Sequence, residues 1–93
     1  FAVLYTELAE PGVLSLETIL QRMSAGPAEI FGLERPRIAL GAPANLTLID
    51  LNATWRVKPS AFRSRSAHSW LLGRRLRGRV KLTVAAGRVV FKP

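Results

Sequence analysis

Val80-Lys81-Leu82-Thr83-Val84-Ala85-Ala86-Gly87-Arg88-Val89-Val90-Phe91 reads as a β-hairpin, and it decides that this chain carries a sheet. Val80, Leu82, Val84 and Ala86 alternate with Lys81, Thr83 and Ala85, the two-residue period of a strand with one covered face. Gly87 permits a tight turn, and Arg88 to Phe91 returns as the partner strand. Such a hairpin leaves exposed edges that need partner strands.

Outward from the hairpin, Arg74-Arg75-Leu76-Arg77-Gly78-Arg79-Val80-Lys81 places Arg77, Arg79 and Lys81 on one outer face, a row of like charge suited to solvent. Residues 63 to 75 have no period and read as a long ordered loop. Thr54-Trp55-Arg56-Val57 predicts a short strand stopped by Pro59, and Ser60-Ala61-Phe62 one helical turn. Asn45 to Leu51 is a short apolar run, predicted to be a strand buried on both faces and closed by Asp50-Leu51-Asn52. Gly41-Ala42-Pro43 is a turn signal.

The first third follows a different period. Phe1, Leu4, Tyr5 and Leu8 lie on one helical face, and Pro11-Gly12 ends that helix. Ser15 is a good N-cap, with Glu17 in the first turn where the helix dipole favours a carboxylate. Leu16, Ile19, Leu20 and Met23 then predict an amphipathic helix over 16–24, with Gly26 as its stop. Pro27 opens a further short helix whose buried side is Ala28, Ile30 and Phe31, ended by Gly32.

Charge divides the chain at the same place. Residues 1–34 carry five Glu against Arg22 alone, and residues 35–93 carry thirteen Lys and Arg against Asp50 alone, within a net charge of +8. Two structural neighbourhoods are therefore expected, 1–34 and 35–93. With 93 residues, no Cys and one His, the chain excludes disulfides, thiolate zinc sites and any imidazole-based metal centre of its own. No apolar run approaches the ~20 residues of a membrane-spanning helix. Absent cysteine fits a cytoplasmic origin. The faces of Ile19, Met23, Leu48 and Val84 all need cover, and these elements do not supply it, so a segment of a larger protein is expected.

The residues themselves resemble a family. Ala2-Val3-Leu4-Tyr5-Thr6-Glu7-Leu8, Gly12-Val13-Leu14-Ser15-Leu16 and Met23-Ser24-Ala25-Gly26-Pro27-Ala28 resemble the final barrel helices of a cyclic amidohydrolase. Gly41-Ala42-Pro43-Ala44-Asn45-Leu46 is similar to the G-x-x-A-D-L stretch of that superfamily, with Asn45 in place of the usual Asp. Ser64-Arg65-Ser66-Ala67-His68-Ser69, then Gly73, Leu76 and Gly78-Arg79-Val80, resembles the S-K-S-x-N-T-P-F-x-G-x-x-L-x-G-x-V stretch of bacterial dihydroorotases, with His68-Ser69-Trp70 replacing Asn-Thr-Pro. Ala86-Gly87-Arg88-Val89-Val90-Phe91 matches the closing G-R-x-V hairpin. Allantoinases and hydantoinases share much of this tail.

The resemblance implies an α+β segment: terminal helices of a (β/α)8 (TIM) barrel over 1–34, then strands of the accessory C-terminal β-sandwich over 35–93. It implies a metal-dependent parent enzyme that reversibly cyclises N-carbamoyl-L-aspartate to dihydroorotate in pyrimidine biosynthesis. Zinc would belong to that parent, on an H-x-H pair and other ligands upstream, with none bound by this chain. The expected partners are the remainder of the parent chain, a second copy and, by resemblance, aspartate carbamoyltransferase. No catalytic, cofactor-binding or metal-binding residue is expected among the 93.

Other readings compete at single residues. His68 is read as a structural or solvent-facing loop histidine, because no second His or neighbouring carboxylate accompanies it. Asp50 is read as a turn former rather than an acid–base group. The Arg74–Lys81 run beside Trp70 raises a small basic RNA-binding module, and the fold resemblance raises a non-catalytic scaffold partner. A solvated strand edge is preferred over nucleic-acid binding. Asn45-Leu46-Thr47 and Asn52-Ala53-Thr54 match the glycosylation pattern and are read as coincidence.

Overall fold

A computed structural model describes all 93 residues, Phe1 to Pro93. The chain opens with α1 (Ala2–Leu4), which continues as a π-helical turn (Tyr5–Ala9), then α2 (Leu16–Met23) and α3 (Ala25–Ile30). Strands β1 (Leu46–Arg56), β2 (Arg75–Ala85) and β3 (Arg88–Phe91) form one antiparallel sheet in the order β1-β2-β3, with a 3-10 turn (Pro59–Ala61) after β1.

Local chemistry explains the helical boundaries. The Ser15 hydroxyl accepts from the Thr18 amide at 3.1 Å, capping α2 as expected. Gly26 does not stop that helix. The break falls at Ser24, whose backbone leaves the helical region, and Gly26 lies inside the first turn of α3. The buried side of α3 is Ala28 alone, whereas Ile30 and Phe31 stand in solvent, Phe31 being 76% exposed. The first helix widens to π-geometry halfway, with the Glu10 amide donating to the Tyr5 carbonyl at 3.0 Å.

The hairpin forms where its alternation places it. Ala86 and Gly87 both have positive φ, so β2 and β3 close through a two-residue turn whose twist matches the strands. Asn45 locks that turn from across the sheet: its Oδ1 accepts from the Ala86 amide at 2.8 Å. The departure from Asp at this position therefore keeps the acceptor oxygen that the turn uses.

Two predicted strands are one. Asp50-Leu51-Asn52 does not close β1, which continues to Arg56 through an irregularity between Asp50 and Thr54. There Asp50 Oδ1 accepts from the amides of Asn52 and Ala53 at 2.9 and 3.2 Å, the local turn chemistry read for Asp50 but set inside a bulge. Nor is β1 buried on both faces. Leu48 is 61% exposed, because the outer half of the sheet stands clear of the helices and has no second layer.

The core is small. Ile19, Ala28, Val57 and Leu76 are its buried hydrophobic residues. Of the four residues expected to need cover, Ile19 is 3% exposed, Val84 is half-buried, and Met23 and Leu48 are exposed. Part of the α2 apolar face, at Leu20 and Met23, and the outer sheet around Leu48 are thus unpartnered. Every residue from 31 to 41 is exposed, and the amides of Phe31, Gly32 and Leu33 close α3 before the connection runs on to the sheet. No helix is long and apolar enough to cross a membrane.

Candidate functional site

Chemistry-bearing side chains gather where the first helix crosses β2. Gly78 makes the crossing close. Its φ is +93°, and a Cβ there would meet the Phe1 ring at 3.3 Å and the Tyr5 ring at 3.4 Å. Those rings stack on each other with centroids 5.7 Å apart. The Trp55 indole N–H donates to the Gly78 carbonyl at 3.0 Å from the neighbouring strand.

Arg77 does not share a solvent-facing row with Arg79 and Lys81. The helix covers β2 at this point, and the bulge in β1 opens a slot for the guanidinium. Arg77 Nη1 donates to Glu10 Oε1 at 2.7 Å, Nε to the Leu51 carbonyl at 3.2 Å and Nη2 to Asn52 Oδ1 at 3.2 Å. The Glu10 hydrogen bond and charge raise the Arg77 pKa above the ordinary arginine range. One helical turn away, Glu7 pairs with Arg74. The excess acid of residues 1–34 thus answers part of the excess base of residues 35–93. Sequence reasoning had the charge asymmetry and missed this pairing, although Glu7/Glu10 and Arg74/Arg77 share a spacing of three.

Two cations of the basic run, and Arg63 outside it, lie over aromatic rings. Arg79 lies over the Trp55 ring at 5.8 Å, Arg74 over Trp70 at 5.1 Å, and Arg63 over Phe91 at 5.1 Å. Each contact occupies one face of its ring, and Trp70 remains 71% exposed.

A cleft of ≈ 710 Å³ opens between α1, the end of β1 and β2. Trp55, Val57, Phe62, Leu76 and Phe91 give it apolar walls, and Arg56, Lys58, Arg63 and Arg79 stand around it. It has no carboxylate and no His, so it lacks an acid–base pair or a metal donor. Because Val57 and Leu76 also belong to the core, the cleft is core space left unfilled.

His68 is exposed on the loop before Trp70, its amide donating to Ser66 Oγ at 3.2 Å. Asp50 spends Oδ1 on two backbone amides. No group of three or more His, Cys, Asp or Glu comes together to hold a metal ion. The donor set of this chain therefore does not fit zinc, which takes three or four nitrogen, sulfur or carboxylate ligands.

Comparison with known proteins gives a consistent assignment. The description "Amidohydrolase family" matches residues 5–91. A dihydroorotase of Geotalea daltonii is 40% identical over 86 residues, which are 92% of this chain and 20% of that protein. A dihydroorotase of Pediococcus pentosaceus is 33% identical over 93 residues, 99% of this chain and 22% of that one. Among solved structures, the L-hydantoinase (dihydropyrimidinase) of Arthrobacter aurescens superposes with a TM-score of 0.86 at 31% identity, over 99% of this chain and 21% of that chain. The chain spans about a fifth of the length of the curated relatives it matches.

Proposed function

The chain belongs to the amidohydrolase family, and from that premise we propose that it is the C-terminal segment of a dihydroorotase-like, metal-dependent cyclic amidohydrolase. In this reading the parent enzyme opens and closes a cyclic amide, dihydroorotate against N-carbamoyl-L-aspartate. The metal ligands and the proton-shuttling carboxylate lie outside these 93 residues. The segment is structural: residues 1–34 complete the barrel wall and residues 35–93 contribute strands to an accessory sheet. Its partners are the rest of the parent chain, a second copy and an aspartate carbamoyltransferase.

One observation carries the proposal. Nearly the whole chain, unpartnered faces included, superposes on a fifth of a hydantoinase, and an exposed apolar face is what a piece of a larger fold presents. Relatives named dihydroorotase favour that ring over hydantoins.

The test uses the complete polypeptide that carries residues 1–93. Purified with metal supplied, it should hydrolyse dihydroorotate with a higher kcat/KM than hydantoin or allantoin. Failure to open any of the three rings overturns the reading. The structural role is tested separately: His68→Ala and Asp50→Asn should leave kcat within about twofold, since neither side chain would meet substrate. A loss of about a hundredfold or more in either variant would return that residue to the chemistry.

A further inference from the structure

The helices and the sheet meet over a narrow strip. The helical residues that touch β2 lie chiefly in α1 and the π-helical turn, while α2 packs on that turn and α3 on α2. The exposed run from 31 to 41 adds no packing between the two halves. Whatever fixes the helices on the sheet must therefore lie in that strip.

Arg77 stands in it with five hydrogen bonds. Three leave the guanidinium for Glu10, the Leu51 carbonyl and Asn52, and two join its backbone amide and carbonyl to the Thr6 hydroxyl. These bonds tie together the first helix, the bulge of β1 and the middle of β2. The neighbouring Glu7–Arg74 pair is about as exposed as Glu10–Arg77 but makes one contact where the Arg77 guanidinium makes three, and a lone surface pair contributes little.

We propose that Arg77 is the positioning residue that seats the helical segment on the sheet, so that helices and sheet move as one body only while this clasp is closed. The fork geometry is essential. A guanidinium presents donors in fixed directions to three acceptors at once, whereas a lysine ammonium keeps the charge and can serve Glu10 without reaching the others. The inference lies wholly within residues 1–93 and does not depend on which ring the parent enzyme opens.

Hydrogen exchange read by mass spectrometry on the complete polypeptide tests it. In Arg77→Lys, amides of residues 2–9 and of residues 50–54 should lose protection together, by about tenfold or more, as expected when hydrogen bonds to a charged group are lost. Arg74→Gln should stay within about twofold of the parent at both segments. Glu10→Gln should loosen residues 2–9 and leave 50–54 protected, because the bonds to Leu51 and Asn52 remain. If Arg77→Lys keeps protection within about twofold, or loses it in only one of the two segments, the clasp is not what couples them and the proposal fails. Arg77→Gln repeats the measurement without the charge, and only the outcome of joint loss supports the clasp.

Discussion

The Thr6 hydroxyl does for Arg77 what a neighbouring strand would do. Its Oγ1 accepts from the Arg77 amide at 2.9 Å and donates to the Arg77 carbonyl at 3.2 Å. A helix side chain thereby satisfies both backbone groups of a strand residue. An unpaired, part-buried backbone group is costly, so this contact stabilises the junction by more than its length suggests.

Thr6→Val keeps the shape of the side chain and removes both hydrogen bonds. It should destabilise the native polypeptide by about 1–3 kcal/mol, measured by urea denaturation at constant m-value. Thr6→Ser keeps the hydroxyl and should recover most of that loss. Equal losses in the two variants would mean the methyl group, not the hydroxyl, does the work.

Gly78→Ala should cost about 1–3 kcal/mol. The backbone there is left-handed, and the new Cβ would press on the stacked Phe1 and Tyr5 rings at 3.3 and 3.4 Å. Trp55 emission offers a second readout, because its indole bonds to the Gly78 carbonyl. Unchanged stability together with unchanged emission would show that the helix yields at no cost.

Asn45→Asp should be nearly neutral, since either side chain offers an oxygen to the Ala86 amide. Asn45→Ala should lose about 1 kcal/mol and speed exchange at the hairpin turn. Aspartate costing as much as alanine would show that the Asn45 acceptor is not what holds the turn.

The clasp should survive alkaline conditions. Arg77 has its pKa raised by Glu10, and a raised folded pKa gives stability that is complete below the unfolded pKa and lost only as pH rises through the folded one. That window lies above the ordinary arginine range. From neutral pH to about 9.5, below the usual titration of tyrosine and lysine, near-ultraviolet circular dichroism should show no transition at the junction. A transition inside that range would assign the junction to another group.

The 93-residue chain should not hold zinc tightly. With one His, no Cys and no converging carboxylates, equilibrium dialysis should show no stoichiometric, submicromolar binding to a monomer. Tight binding by the monomer would contradict the donor geometry described above.

Features governed by neighbours in sequence were legible before the fold was known. The Ser15 cap, the Asp50 side-chain bonds and the turn at Gly87 all depend on residues within a few positions of each other, although Ala86, read as strand, belongs to that turn. Features that depend on what lies opposite were not. Leu46 and Leu48 look like a buried run, and they are exposed because no layer in this chain faces them. Thr54 to Val57 looks like a separate strand because a bulge interrupts the alternation without ending the pairing. Alternation put Arg77 in a solvated row, and only the bulge in β1 and the helix over β2 turn it into a junction. The Glu10–Arg77 pairing spans 67 positions, and its only trace in the sequence is the matched spacing of three in Glu7/Glu10 and Arg74/Arg77.

The exposed run from 31 to 41 has a consequence for how this fold can change length. The amides of Phe31, Gly32 and Leu33 close α3, the residues from 34 to 41 stand exposed, and the seat of the helices is set elsewhere, at Thr6, Glu10 and Arg77. Extra residues inserted there would lengthen the path without shifting strand register or moving the helix, and the entropy of a longer loop grows only slowly with its length. An insertion there spares the junction, and it is best placed away from Ile38 and Leu40, whose exposed apolar side chains are of the kind that a larger parent fold covers.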